Sequence, residues 1–267
     1  MTLQKWIKDR AIHGFPTFSV EDVRAAELYT SEQVLQNELS RLSSNQVIRN
    51  VYRGFYVIIP VHYMLRGSVP ATYYIDQLMA YLNKPYYVCM LSAAELLGAA
   101  HQRPQQFSVM ATFPKSRVVA TRNVVIDWFY RDQLPEDALI IKNTETGTIR
   151  ISNPLLTAAD LVQYQQRVGG LSRVATILEE LSEQIDIQSQ FASLAPFVKK
   201  VAWQRLGYLL EHVIEQKDMA DELYEKIRTL PGIIAYYPLS PSAGADTSVR
   251  DRRWKLNINV QIETDEI

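Results

Sequence analysis

The chain reads as an α+β protein: an N-terminal winged helix-turn-helix followed by a larger mixed α+β domain of antiparallel sheet plus helices. Three observations predict this. Two capped helix starts, at Ser19 and Thr30, lie close together near the N-terminus. A basic strand-turn-strand, Val47-Ile-Arg-Asn-Val-Tyr-Arg-Gly-Phe-Tyr-Val-Ile-Ile59, follows them directly. At Asn153-Pro154 the apolar period then changes from alternation to helical spacing.

The first helix is expected over residues 3–12, where Leu3, Trp6, Ile7 and Ile12 recur on one side and His13-Gly14 ends the run. Ser19-Val-Glu-Asp22 opens the second helix, and Thr30-Ser-Glu-Gln33 reads as a capping box opening the third over residues 31–44. On that third helix Val34, Leu35, Leu39 and Leu42 fall on one side, while Gln33, Gln36, Asn37, Ser40, Arg41 and Ser44 fall on the other. Amides can bond adenine edges, Arg can bond guanine, and Ser can hold phosphate, so this face suits the major groove; alternatively it is an ordinary solvated face. In the hairpin, Arg49 and Arg53 are placed to reach phosphate or a minor groove, or else they solubilise an exposed edge. Residues 1–66 thus form the expected DNA-binding domain, with eight Lys or Arg against six Asp or Glu.

Length and composition fit two domains: 267 residues, 47% apolar and 21% charged. The formal net charge of −1 excludes a polycation. The single Cys89 cannot form an internal disulfide, and no signal-peptide core or membrane-length apolar run is present, so a soluble, reducing, cytoplasmic setting with no membrane association is expected.

Pro60 to Ala71 reads as a linker into a second domain over residues 72–267. A helix is expected over 72–82, a short buried strand over 86–90, and a helix capped by Ser92 and closed by Gly98. Strands follow at 107–112, 118–120 and 124–130. A hairpin pairs 138–142 with 148–152, which makes the middle of the body predominantly antiparallel. Helices are expected over 155–164, 171–181, 201–215 and 219–229, the third carrying a Leu206, Leu209, Leu210, Val213 stripe. The alternation of Trp254-Lys-Leu-Asn-Ile-Asn-Val-Gln-Ile262 predicts a half-buried strand joining the sheet.

Arg53-Gly-Phe-Tyr-Val, Tyr87-Val-Cys-Met-Leu-Ser-Ala-Ala-Glu-Leu-Leu-Gly98 and Ile151-Ser-Asn-Pro-Leu-Leu-Thr-Ala-Ala-Asp-Leu-Val162, in that order, resemble the AbiEi-type antitoxins of bacterial abortive-infection systems over roughly residues 1–215. The resemblance implies an N-terminal winged helix that binds double-stranded DNA at inverted repeats in the protein's own promoter. It also implies a C-terminal domain that antagonises a nucleotidyltransferase toxin encoded beside it, and no enzymatic activity. The chain departs from the family pattern at Ala25-Ala26-Glu27-Leu28, where the inter-helix turn often has Gly, and in its extended tail after Thr229.

Other chemistry has little support. The histidines at 13, 62, 101 and 212 share no metal-ligand spacing, and no phosphate-binding glycine loop occurs, so neither a metal nor a cofactor is expected. Asp127 and Lys142 on successive strands suggest a nuclease centre, but Ile140 stands where a second acid is needed. Arg250, Arg252, Arg253 and Lys255 form the densest basic cluster, a possible secondary phosphate or acidic-partner patch, or simply a solvated loop. Two further readings stand beside the DNA-binding antitoxin. One is a ligand-responsive transcription factor whose C-terminal domain binds a small molecule, with Tyr73, Tyr74, Tyr86, Tyr87 and Trp128 as pocket walls. The other is a body that holds a protein partner through the Leu206 stripe.

Overall fold

In the computed structural model, residues 1–65, 69–99, 104–115, 126–244 and 249–263 are described. The expected strand at 118–120, the first residues of the one at 124–130, and His101 lie outside them. The chain divides into two compact units, each built from several stretches of sequence.

The first unit comprises residues 1–87, 105–132 and 141–150. It opens with α1 (Leu3–Ile12), β1 (Thr17–Ser19), α2 (Val20–Ala25) and α3 (Glu32–Ser44). Next come the hairpin β2 (Ile48–Tyr52) and β3 (Phe55–Ile58), then the short α4 (Val61–Met64) and α5 (Ile75–Tyr81). Strand β1 completes the hairpin as an antiparallel three-stranded sheet in the order β1-β3-β2. Leu3, Ile7, Phe18, Val23, Leu35, Leu39, Leu42, Ile48 and Ile58 form one core beneath this sheet, and stacking of Phe18 on Tyr56 closes its face.

Local chemistry explains the ends of these helices. Ser19 and Asp22 form the expected reciprocal capping box on α2. The cap of α3 is Ser31 rather than Thr30: its hydroxyl accepts from Val34 N, moving the helix start one residue on. Val34 is 42% exposed and does not join Leu35, Leu39 and Leu42 on the buried face. Glu27 adopts φ +50 in the turn between α2 and α3, so a non-glycine residue occupies the left-handed position that glycine would take without strain.

The remaining strands of this unit form a five-stranded sheet with β4 (Tyr86–Val88) at its centre, in the order β6-β5-β4-β8-β7. Its other members are β5 (Phe107–Thr112), β6 (Ile126–Arg131), β7 (Leu139–Thr144) and β8 (Gly147–Ser152). The sheet is mixed rather than predominantly antiparallel, since β5 pairs with β6 and β4 with β8 in parallel. Alternation in single strands reports burial, and strand direction is set by the connections between them.

The second unit is largely helical: α6 (Met90–Leu97), α7 (Pro154–Gln163), α8 (Leu171–Leu181), α9 (Ile187–Leu194), α10 (Lys200–His212) and α11 (Lys217–Arg228). Asn153 caps α7, with Pro154 at its first position. Ser92 does not cap α6: Cys89 holds that position without a side-chain bond, and Ser92 is buried inside the helix. Helix α9 is an addition to the sequence-based assignment; its signal is Asp186, whose carboxylate accepts from Ser189 N. The tail forms a separate small sheet of β9 (Tyr237–Pro238), β10 (Val249–Asp251) and β11 (Leu256–Ile258), so the alternating 254–262 segment does not join the larger sheet.

Helix α10 holds this tail. Gln204 donates to the Trp254 carbonyl at 2.8 Å, and Glu211 accepts from the Trp254 indole at 2.6 Å. Gly207 lies between them directly under the Trp254 ring. The three positions i, i+3 and i+7 share one helix face. The Leu206, Leu209, Leu210 part of the apolar stripe is fully buried, which removes it as an open protein-binding surface.

Candidate functional site

The exposed side of α3 carries two polar stripes, each following from helical spacing. Gln33, Asn37 and Arg41 form one, with the Gln33 amide donating to Asn37 Oδ1 at 3.2 Å; all three are exposed. Gln36, Ser40 and Ser43 form the other and face the hairpin. Between them and the hairpin lies a groove of about 790 Å³, whose further lining includes Asn50, Tyr52 and Arg53. The structure therefore brings Gln36 and Ser40 to the same groove as Arg53, while Gln33, Asn37 and Arg41 lie on the neighbouring outward stripe.

Arg49 is placed differently. Strand alternation puts it on the hairpin face opposite Asn50, where it is half-buried near Tyr74. Burial pushes the Tyr74 hydroxyl well up, and the Arg49 charge opposes that shift. Asn50 was not singled out from sequence; its amide donates to the Tyr52 and Phe55 carbonyls and holds the hairpin tip. Its signal is an Asn beside a Gly-containing turn. Gly54 takes φ +75 at that turn, with the Tyr81 hydroxyl close by.

The acidic side of the groove is fixed by an ion pair. Arg24 on α2 donates to both Glu32 carboxylate oxygens at 3.1 and 3.0 Å, bridging the two helices. That bond raises the Arg24 guanidinium and lowers the Glu32 carboxyl from their ordinary values. A carboxyl depressed in the folded state contributes its stabilisation fully above its unfolded value and loses it as pH falls through the folded value. The Glu32 carboxyl is therefore expected to titrate below the ordinary Glu range in a carbon-13 NMR pH series, and to return to that range in Arg24→Ala. An unchanged midpoint in the variant would contradict the bridge. Both partners are solvent-exposed, so the effect on global stability is small.

Elsewhere the candidate residues separate. Arg253 is engaged internally: it pairs with Glu211 at 3.0 Å and with Asp221, and lies over the Tyr224 and Trp254 rings. Arg250 and Lys255 each lie over Tyr236, and Arg252 is exposed. Asp127 and Lys142 sit on β6 and β7, the opposite edges of the five-stranded sheet. Four strand spacings put them roughly 19 Å apart, too far to share a metal ion. Tyr74, Tyr86 and Tyr87 are buried in the core, and Tyr73 lines the cavity beneath the hairpin. Among the described residues, no three His, Cys, Asp or Glu side chains gather as metal ligands, and no helix is long and apolar enough to cross a membrane.

Comparison with known proteins gives three findings. The crystal structure of the RV2827C protein from Mycobacterium tuberculosis matches with a TM-score of 0.66 at 13% identity, over 94% of this chain and 88% of that one, so the two share a fold. No curated protein matches. Residues 86–212 match the family model of the AbiEi antitoxin C-terminal domain, spanning the central strand β4 through the end of α10. The match over this region supports an AbiEi-type antitoxin with a role in a toxin–antitoxin system.

Proposed function

We propose that residues 1–66 are a winged helix-turn-helix with α3 as the reading helix and the β2–β3 hairpin as the wing, and that the protein represses its own promoter by binding inverted repeats there. The observation that carries this reading is the polar side of α3, which exposes Gln33, Gln36, Asn37, Ser40 and Arg41 beside a groove shared with Arg53. Exposed amides on a rigid helix suit adenine edges, Arg41 suits guanine, and Arg53 at the hairpin tip suits phosphate. The head carries only two excess positive charges, so non-specific affinity is modest and discrimination falls to the base-reading side chains. On the same reading the domain at 72–267 antagonises the activity of a nucleotidyltransferase toxin encoded alongside. No cofactor and no catalysis are needed for either role.

The test is binding of the whole protein to its own upstream DNA against a scrambled duplex of equal length, at two salt concentrations. The expected result is a preference for the upstream duplex that Gln36→Ala/Asn37→Ala abolishes while leaving the fold intact, because both side chains are exposed. Equal, purely salt-dependent binding to both duplexes would refute the reading helix. Co-expression with the neighbouring toxin tests the second role: the same double variant should still restore growth while failing to repress.

A further inference from the structure

We propose that a cavity of about 720 Å³ at the base of the N-terminal sheet binds a small molecule with an apolar body and a single anionic group, such as an aromatic or aliphatic carboxylate. Helix α1 forms one wall with Gln4, Ile7, Lys8 and Ala11, a set spaced i, i+3, i+4 and i+7. Val47, Ile58 and Ile59 from the base of the hairpin, with Met64 of α4, make most of the remaining surface apolar. The volume lies within the range of roughly 300–1,000 Å³ that accommodates such ligands.

The polar groups determine the class of ligand. Glu145 is on the lining, but its carboxylate is already engaged, accepting from the Tyr63 hydroxyl at 3.0 Å and pairing with His62 at 3.1 Å. Thr146 is likewise satisfied, donating to the Tyr73 carbonyl at 2.6 Å. Lys8 and Gln4 lie one helical turn apart on α1 and have no hydrogen-bond or ionic partner among the described residues. The cavity therefore offers an unanswered ammonium and an unanswered amide donor beside an apolar surface, the arrangement a carboxylate on a hydrophobic body completes. This site is independent of the DNA-binding reading, and loss of operator preference would leave it standing.

The probe is anilinonaphthalene sulfonate, an apolar monoanion, titrated by fluorescence into the full chain beside the uncharged dye Nile red. One anionic dye per chain is expected. Lys8→Glu should weaken it about tenfold and leave Nile red unchanged. Ala11→Phe, which fills the cavity, should weaken both dyes. Positions 8 and 11 are exposed, so both variants should melt as the native chain does. Anionic-dye binding indifferent to both substitutions would overturn the proposal. So would a chain that sediments as a dimer and, as a Leu65→Glu monomer, binds the dye more tightly, because the cavity would then belong to a second copy.

Discussion

Gly207→Ala is expected to destabilise the protein by about 1–3 kcal/mol in urea unfolding, although the same change in an exposed helix interior would stabilise it by up to about 1 kcal/mol. The sign reverses because a Cβ at position 207 falls well inside van der Waals contact with the Cζ3, Cη2 and Cε3 atoms of Trp254. Trp254 cannot retreat easily: its carbonyl is held by Gln204, its indole by Glu211, and its ring is about 99% buried. Truncating the ring with Trp254→Ala should itself cost about 3–5 kcal/mol. The double variant should then be no less stable than Trp254→Ala alone, since removing the ring removes the clash. Additive losses would show that Gly207 serves some purpose other than admitting the tail.

Arg41→Ala is expected to cost about 1–3 kcal/mol of binding to the upstream duplex and to relax discrimination at one base position, on the proposal that Arg41 bonds a guanine edge. Its place on the outward stripe with Gln33 and Asn37, rather than in the groove, motivates that assignment. Arg53→Ala is the contrast. From the groove side of the hairpin tip its loss should weaken binding to all duplexes alike and reduce the salt slope by about 1. A uniform loss for Arg41 with an unchanged base preference would reassign it to phosphate. Arg49 should matter less than either, because it is half-buried near Tyr74 on the other face of the hairpin.

Legibility of the sequence varied with how local the governing interaction was. The Ser19–Asp22 box, the Gly98 left-handed cap and the Asn153-Pro154 helix start are decided by atoms within a few residues, and each is as the motif implies. The exposed set on α3 was equally legible, since helical period alone sorts Gln33, Gln36, Asn37, Ser40 and Arg41 away from Leu35, Leu39 and Leu42. Pairing partners were not legible. Of the 254–262 alternation only Leu256–Ile258 becomes strand, and nothing local says that it pairs with β9 and β10 instead of the larger sheet. Asp127 and Lys142 looked adjacent because sequence order was read as sheet order, whereas the order β6-β5-β4-β8-β7 sends them to opposite edges. Of the basic cluster near the C-terminus, Arg253 is engaged by Glu211 and Asp221, both more than thirty residues earlier in the chain, while Arg250 and Lys255 stay together over Tyr236.

The sequence alone therefore determined the helices of the N-terminal region, its polar helix face, and the resemblance that the match over residues 86–212 bears out. Tertiary structure decided which polar residues share the groove with Arg53, which arginines are engaged internally, and where the tail docks. The physical reason is range: capping and amphipathic period are settled within one or two helical turns, while strand order, ion-pair choice and the fit of Trp254 over Gly207 depend on segments that only folding brings together.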